Sequence, residues 1–491
     1  MGLRNRLGRM DLRKGWPLLA VVAFGVRLVP TLGPGLTGSP NYDPSVYYTA
    51  AVGFFCGRLP YRDFLLLHPP GVVLLLQPFA ALGAWIGDPL ALAATRVAFM
   101  AGGAIATALV YLLLRRQGRL AGVIGAGFYA VSPALAHVER APWLEAPASL
   151  LLLVALVVLR PGSSASPTLQ AWRPGVAGLL LSLAALTKLW GVALLVTVLV
   201  WLLVTRGLRS ALVGVLGAAI GAVIVLAPFV AALPQLWDDV VLAQVQRPAV
   251  RTEAWARIAD ILAPGIAANT PVVTALIILI AVVVLAAAVV AVRTPAGRLY
   301  VALLAVAVGV LLASPAWYPN YPAFAGAPLA LVLGSAVGAL TDRLPRLGRR
   351  LVAAAASVLI LAGATSQLLS RDGFTFPSSQ LAASLSGRPG CVTIDHPIAL
   401  ILTDRLRTDL RNGCPLVADL SGYIHVVDGS PQRRDNPAFQ KLMMDYLGGG
   451  ETTVIMSGMW PGDFNQVNRD RVESWPVVGS AGTIVVRQPV P

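Results

Sequence analysis

Residues 91–116 read ALAATRVAFMAGGAIATALVYLLLRR. The apolar part is long enough to cross a bilayer core as a helix, which takes about 20 residues. It ends on Arg115 and Arg116, with Arg119 close behind. Arginine clusters beside a span are retained on the cytoplasmic side, so this stretch sets the direction of every later crossing. The question it raises lies just upstream, where residues 71–86, GVVLLLQPFAALGAWI, are apolar but short. A crossing there would put the three arginines outside. A re-entrant or surface-lying segment puts them inside, and only this second reading makes the later loops agree.

Working outward, a first span at 16–33 follows Arg4, Arg6, Arg9, Arg13 and Lys14, which hold the N-terminus in the cytoplasm. The run after these charges lacks a small-residue cleavage site and reads as a retained span rather than a signal peptide. Residues 34–90 then form a first external loop containing the re-entrant 71–86. After 91–114, spans at 120–137 and 143–160 return to Arg160 and Arg173. The run 175–204 is too long for one helix and splits near Lys188, which brings Arg206 and Arg209 inside. Spans at 210–232, 271–292, 299–315, 320–339 and 351–369 follow, with Arg293, Arg298, Arg343, Arg346, Arg349 and Arg350 on the cytoplasmic side. The expectation is a polytopic α-helical membrane protein of about eleven spans.

Composition agrees. Of 491 residues 56% are hydrophobic and only 12% charged, against about 25% charged in soluble domains. The net charge of +15 would suggest nucleic acid in a soluble chain. Here the arginines sit at the ends of apolar runs, and nucleic acid is excluded as a partner.

Residues 1–371 thus form a transmembrane domain and 372–491 a polar domain outside the cytoplasm. In the latter, Cys391–Ile394, Leu416–Ala418, Thr452–Met456 and Thr483–Val486 read as strands. Ile398–Arg411 and Phe439–Leu447 read as helices, so the expected fold is a small α/β layer. Cys391 and Cys414 fit either a disulfide, as an oxidising compartment permits, or two unrelated buried thiols. The domain has no phosphate loop, no G-x-G-x-x-G and no metal-spaced Cys/His set, which suits a cap or acceptor-guiding role.

The topology gathers unusual polar residues on the external side. They are Tyr42, Asp43, Tyr61, Asp63 and His68 in the first loop, and Glu139, Arg140 and Glu145 at the next turn. Lys188 falls at the helix break, Arg247 and Arg251 lie in the loop 233–270, and Trp317, Tyr318, Asn320 and Tyr321 form a last turn. Ionisable groups at membrane depth are costly and usually functional. Each also has a plain reading. Asp43 fits a helix cap, Asp63 a loop partner of Arg62, Glu139 a partner of Arg140, and Glu145 a cap. Lys188 fits a snorkelling side chain, and Trp317 an aromatic belt.

At these residues the sequence resembles the GT-C glycosyltransferases, in particular the dolichyl-phosphate-mannose–protein mannosyltransferase and lipid A aminoarabinose transferase group. The resemblance covers roughly residues 16–340. It rests on an ordered set: Tyr42-Asp43 after the first span, Gly57-Arg58-Leu59-Pro60-Tyr61-Arg62-Asp63-Phe64, His68-Pro69-Pro70-Gly71, Arg96, Glu145 at the start of a span, and Leu186-Thr187-Lys188. It implies inverting transfer of a mannose- or arabinose-like sugar from a polyprenyl-phosphate donor to an envelope glycan, lipid or protein, at the cell membrane, without cofactor or catalytic metal. Asp43 is implied as the base, with Glu145 lining the same cavity and Asp63 orienting the reactants. Donor-phosphate contact is implied for the segment before Pro69-Pro70, here Leu67-His68, and Lys188, Arg247 and Arg251 are the further cationic candidates. Tyr42, Tyr61, Glu139, Tyr318, Asn320 and Tyr321 would line the substrate cavity. The alternative is a transporter or flippase of lipid-linked intermediates, which would carry polar residues through the depth of its spans and an internal repeat.

Overall fold

The structure is a computed structural model describing residues 15–38, 41–160, 167–247, 252–266, 270–341, 343–370, 373–456 and 463–490. The N-terminal basic cluster and Arg251 lie outside the described residues. Among the described residues, six helices are long and apolar enough to cross a membrane, and five shorter apolar helices accompany them, Gly71–Ile86 among them. Lengths and composition therefore account for six crossings directly.

Several expected boundaries move. The span expected at 120–137 is two helices, Arg119–Val131 and Pro133–Val138, broken where Pro133 lacks an amide proton for the helical ladder. The helix expected to end at 232 continues as turns of changing pitch through Val245, loosened around Pro228 and Pro234. The split near Lys188 is present, between Pro167–Ala185 and Gly191–Arg206. Gly207 alone reverses the chain into Leu208–Leu226, at φ +83°, a conformation side-chain-bearing residues rarely adopt.

By packing, the chain separates into two compact units. One comprises residues 1–30, 97–223 and 250–371, the other 31–96, 224–249 and 372–491. In the first, Ala323–Thr341 is buried over most of its length and packs against Arg119–Val131, Glu145–Val158, Pro271–Ala291 and Pro295–Ala313. Its closest approach is to Arg119–Val131. A Cβ at Gly125 would lie 2.9 Å from the Ala330 carbonyl oxygen, and one at Gly334 2.9 Å from that of Ala121. Small residues at such crossings let helices bind by close van der Waals contact where lipid removes the hydrophobic drive. Pro271–Ala291 exposes Val272, Leu276, Leu279, Val282, Val283 and Leu285, an apolar face that suits hydrocarbon and not water.

A buried charge pair ties the helix Gly15–Leu28 into this unit. Arg27, fully buried, pairs with Glu139 and donates through Nη1 to the carbonyls of Ala23 (2.8 Å) and Ala130 (3.0 Å). Tyr129 donates to Glu139 Oε1 at 2.7 Å. Glu139 is thus the partner of Arg27, not of its neighbour Arg140, which donates to the Val26 carbonyl and to Gln367. Removing one member of a buried pair strands the other charge and costs about 3–5 kcal/mol. Glu139→Ala is accordingly expected to destabilise the protein on that scale, read as a lowered unfolding temperature in detergent. The double variant Glu139→Gln with Arg27→Gln should recover most of the loss.

In the second unit, helix Tyr42–Phe55 packs against Gly71–Ile86 and against the helices Ile398–Leu402 and Leu406–Arg411. The C-terminal part is the expected α/β layer, a four-stranded sheet in the order β1-β2-β4-β3, from Val392–Ile394, Thr452–Met456, Val477–Ala481 and Ile484–Arg487 in chain order. β1 and β2 are parallel and the other pairings antiparallel. Two expectations are corrected. Leu416–Ala418 is a loop, because Leu416 packs down onto Gly53 rather than joining a ladder. Ile398–Arg411 is two helices, parted where Asp404 takes φ +55° and accepts from the Asp88 amide at 2.9 Å. The Asp88 carboxylate in turn accepts from Tyr48 (3.0 Å) and pairs with Arg407 (2.9 Å). Cys391 and Cys414 form a disulfide with their Cα atoms 5.5 Å apart.

Candidate active site

Six of the residues singled out in the sequence, Glu145, Lys188, Trp317, Tyr318, Asn320 and Tyr321, meet in the first unit. Glu145 opens the helix Glu145–Val158 but does not cap it, since its carboxylate turns elsewhere. Its Oε1 accepts from Lys188 Nζ at 2.8 Å and from Asn320 Nδ2 at 2.9 Å. Glu145 is fully buried, Asn320 is 5% exposed and Lys188 8%, so the lysine does not snorkel. Its ammonium lies 4.4 Å from the Trp190 ring centroid and 5.0 Å from that of Tyr321, within cation–π range. Tyr321 stands edge-on to Trp190, Trp317 and Tyr318. The half-exposed Tyr318 is the outermost of these rings. Glu145 Oε2 is buried and accepts no hydrogen bond among the described residues.

Lysine has three donors, and Glu145 takes one. The cluster therefore presents a compact cation whose charge is tempered by one carboxylate and walled by aromatic rings. Such a group can receive an anionic oxygen.

The helix Tyr42–Phe55 carries the second constellation, in the other unit. Asn41 holds the cap position, so Asp43 is not the cap; it sits half-buried in the first turn. The positive end of the helix dipole favours negative charge there. Tyr42 beside it donates to Asp419 Oδ1 at 3.0 Å and accepts from the Ser421 amide at 2.9 Å. Its ring meets His396 edge-on at 5.1 Å. Burial first, and the Asp419 charge second, push the Tyr42 hydroxyl well above the usual tyrosine range. Burial also raises Asp419, against hydrogen bonds from Gly422, Tyr42 and Ser421. On the neighbouring strand end, burial pushes Asp395 up to about 8, although it accepts from the Met456 amide.

Asp63 is exposed and closes its own turn. It accepts from the Leu59 amide at 2.7 Å and pairs with Arg62 at 2.8 Å, and the Arg62 hydrogen bond holds it below the usual carboxylate range. Next to it, Tyr61 has φ +71°, strain that persists only where surroundings enforce it. Its hydroxyl donates to the His68 carbonyl at 2.8 Å, and the His68 ring lies 3.3 Å from the Tyr47 hydroxyl. Arg247 lines a cavity with Asp238 and Asp239. Glu139 belongs to the Arg27 pair described above.

Sequence reading did not single out Arg27, Asp88, Asp395, His396 or Asp419. For Arg27 the signal was present, as an arginine inside an apolar helix. Asp419 and His396 had none, since only the fold brings them to Tyr42.

No protein-family model and no curated protein matches the chain. Solved structures match it along nearly its whole length. ArnT from Cupriavidus metallidurans in the apo state gives a TM-score of 0.62 at 16% identity, covering 97% of this chain and 98% of that one. The same protein bound to undecaprenyl phosphate gives 0.60 at 16% identity, over 97% of both chains. The archaeal oligosaccharyltransferase AglB from Archaeoglobus fulgidus, in complex with an inhibitory peptide and a dolichol-phosphate, gives 0.56 at 12% identity, over 91% of this chain and 69% of that one. At such identities the likeness is one of fold, and the fold is GT-C. The class expected from the sequence, a polytopic GT-C-like helical membrane protein with a C-terminal α/β part, is borne out.

Proposed function

We propose that this chain is an integral membrane glycosyltransferase that moves a mannose- or arabinose-like sugar, with inversion and without a metal, from a polyprenyl-phosphate donor to a cell-envelope acceptor on the extracytoplasmic side. The observation that carries the reading is the buried Lys188–Glu145–Asn320 cluster within a GT-C fold. A buried cation is expensive in a membrane domain; Glu145 takes one of the three Lys188 donors, and a lipid phosphate is a ligand that can take another. Two proteins of the same fold carry undecaprenyl phosphate and dolichol-phosphate. The disulfide supports an oxidising, extracytoplasmic location for the C-terminal part.

In this reading the acceptor oxygen forms a bond to the anomeric carbon as the bond from that carbon to the phosphate oxygen breaks. The bonding pair leaves with polyprenyl phosphate, and Lys188 stabilises the charge that develops there. Asp43 takes the hydroxyl proton. Glu145 holds Lys188 in place and offers Oε2 to a sugar hydroxyl. Asp63 keeps its turn, and the carboxylates around Arg247 make that arginine a poor phosphate ligand, so the phosphate role rests on Lys188.

The test uses the purified chain in lipid vesicles with a polyprenyl-phosphate sugar radiolabelled in the sugar, and cell-envelope extract as acceptor. The expected result is label in the acceptor with release of polyprenyl phosphate. Transfer of the intact lipid-linked sugar across the bilayer without cleavage would establish the transporter alternative instead.

A further inference from the structure

The second unit holds a cavity of about 560 Å³ that the steps above do not use. One wall runs along Asp238, Asp239, Leu242 and Ala243 of the helical segment and onto Gln246 and Arg247 just past its end. The wall begins in a π-helical turn, Asp238–Leu242, a rare irregularity that recurs at functional sites. The opposite wall is the segment Ile424–Pro431, which contributes His425 and Asp428 among apolar residues.

The volume lies within the range of small-molecule sites, about 300–1,000 Å³. Its lining mixes three carboxylates, one guanidinium, one amide and one imidazole with the short apolar side chains Leu242, Ala243, Ile424, Val426 and Val427. Carboxylates accept paired hydrogen bonds from adjacent hydroxyls, Gln246 and Arg247 donate to ring and hydroxyl oxygens, and the apolar strip suits the C–H face of a pyranose or furanose. Burial, and then the charges of Arg247 and Arg433, lower the His425 pKa to about 4, so the imidazole is neutral at neutral pH. The lining then carries a net negative charge, which opposes an anionic ligand and admits a neutral polyol.

We infer that this cavity binds the acceptor, and that the acceptor is a neutral, polyhydroxylated glycan rather than a phosphorylated or uronic-acid-bearing one. The assignment to the acceptor rests on the transferase reading, but the binding chemistry can be tested without turnover.

The experiment measures equilibrium binding to the full-length chain in detergent by ligand-observed NMR, with octyl mannobioside as neutral probe and octyl glucuronide as anionic probe. Binding of undecaprenyl phosphate is followed in parallel by native mass spectrometry. The expected result is that octyl mannobioside binds at least about tenfold more tightly than octyl glucuronide, a difference of about 1.4 kcal/mol. Asp239→Asn and, separately, Asp428→Asn should weaken the mannobioside about tenfold and leave undecaprenyl phosphate binding unchanged. Asp428 is exposed on its loop, so its variant keeps the test valid should Asp239→Asn misfold. Preference for the glucuronide, no binding of either probe, or mannobioside binding unaffected in both variants would overturn the inference. Loss of undecaprenyl phosphate binding and transfer by the wild-type chain, with mannobioside binding intact, would instead overturn the transferase reading alone.

Discussion

Asp43→Asn will lower sugar transfer from a polyprenyl-phosphate donor by about 10²–10⁴-fold, the usual contribution of a positioned general base. Asparagine matches the shape of aspartate and keeps an acceptor oxygen, so the helix Tyr42–Phe55 and its Tyr42–Asp419 contact should persist. The unfolding temperature should fall by only a few degrees, since losing a negative charge from the first turn of a helix costs about 0.3–1 kcal/mol. Donor binding should also be unchanged, because the lost step is proton removal from the acceptor. Initial rates in membranes matched for protein content, with donor binding measured separately, check the prediction. Wild-type rates in the variant would remove Asp43 from the chemistry.

Lys188→Met is expected to do two things that a companion variant separates. Glu145, fully buried, loses its cationic partner, which costs about 3–5 kcal/mol of stability. The variant also loses the group proposed to hold the phosphate, and transfer should become undetectable. In Lys188→Met combined with Glu145→Gln, the stranded charge is gone, and Asn320 retains an amide oxygen to donate to. Stability should largely return while transfer does not. A double-mutant cycle on unfolding temperature and on undecaprenyl phosphate binding therefore divides the structural role from the ligand role. Recovery of transfer with recovery of stability would show that Lys188 is only one half of a structural ion pair.

The apolar runs fixed the helices well, because their lengths and flanking arginines answer to bilayer thickness and to retention of charge. The segment 71–86, expected to be re-entrant or surface-lying, is a short apolar helix, Gly71–Ile86, and the break at Lys188 falls where expected. The errors arise where local pattern competes with packing. Leu416–Ala418 has strand propensity, yet Leu416 is used against helix Tyr42–Phe55. The apolar run through 137 conceals a break that one proline imposes. The Glu145–Lys188–Asn320 cluster was legible as residue types, since each is a polar intrusion in apolar sequence. Its geometry was not, because the three positions come together only through three separate helix ends. Glu139 shows the same limit. Its adjacent arginine suggested an obvious partner, and the fold supplied a distant one, Arg27.

The ring of contacts around Asp88 bears on how this protein can be dissected. Arg407 and Asp404, which satisfy Asp88, come from the C-terminal part, as does Asp419, which satisfies Tyr42. Cutting the chain at residue 371 would strip partners from buried polar groups near both ends of the segment 42–88, at about 1–3 kcal/mol for each unsatisfied group. A truncated membrane stump would thus be a wounded molecule, and its inactivity would say nothing about which half does the work. Point substitution in the intact polypeptide is the sounder scalpel.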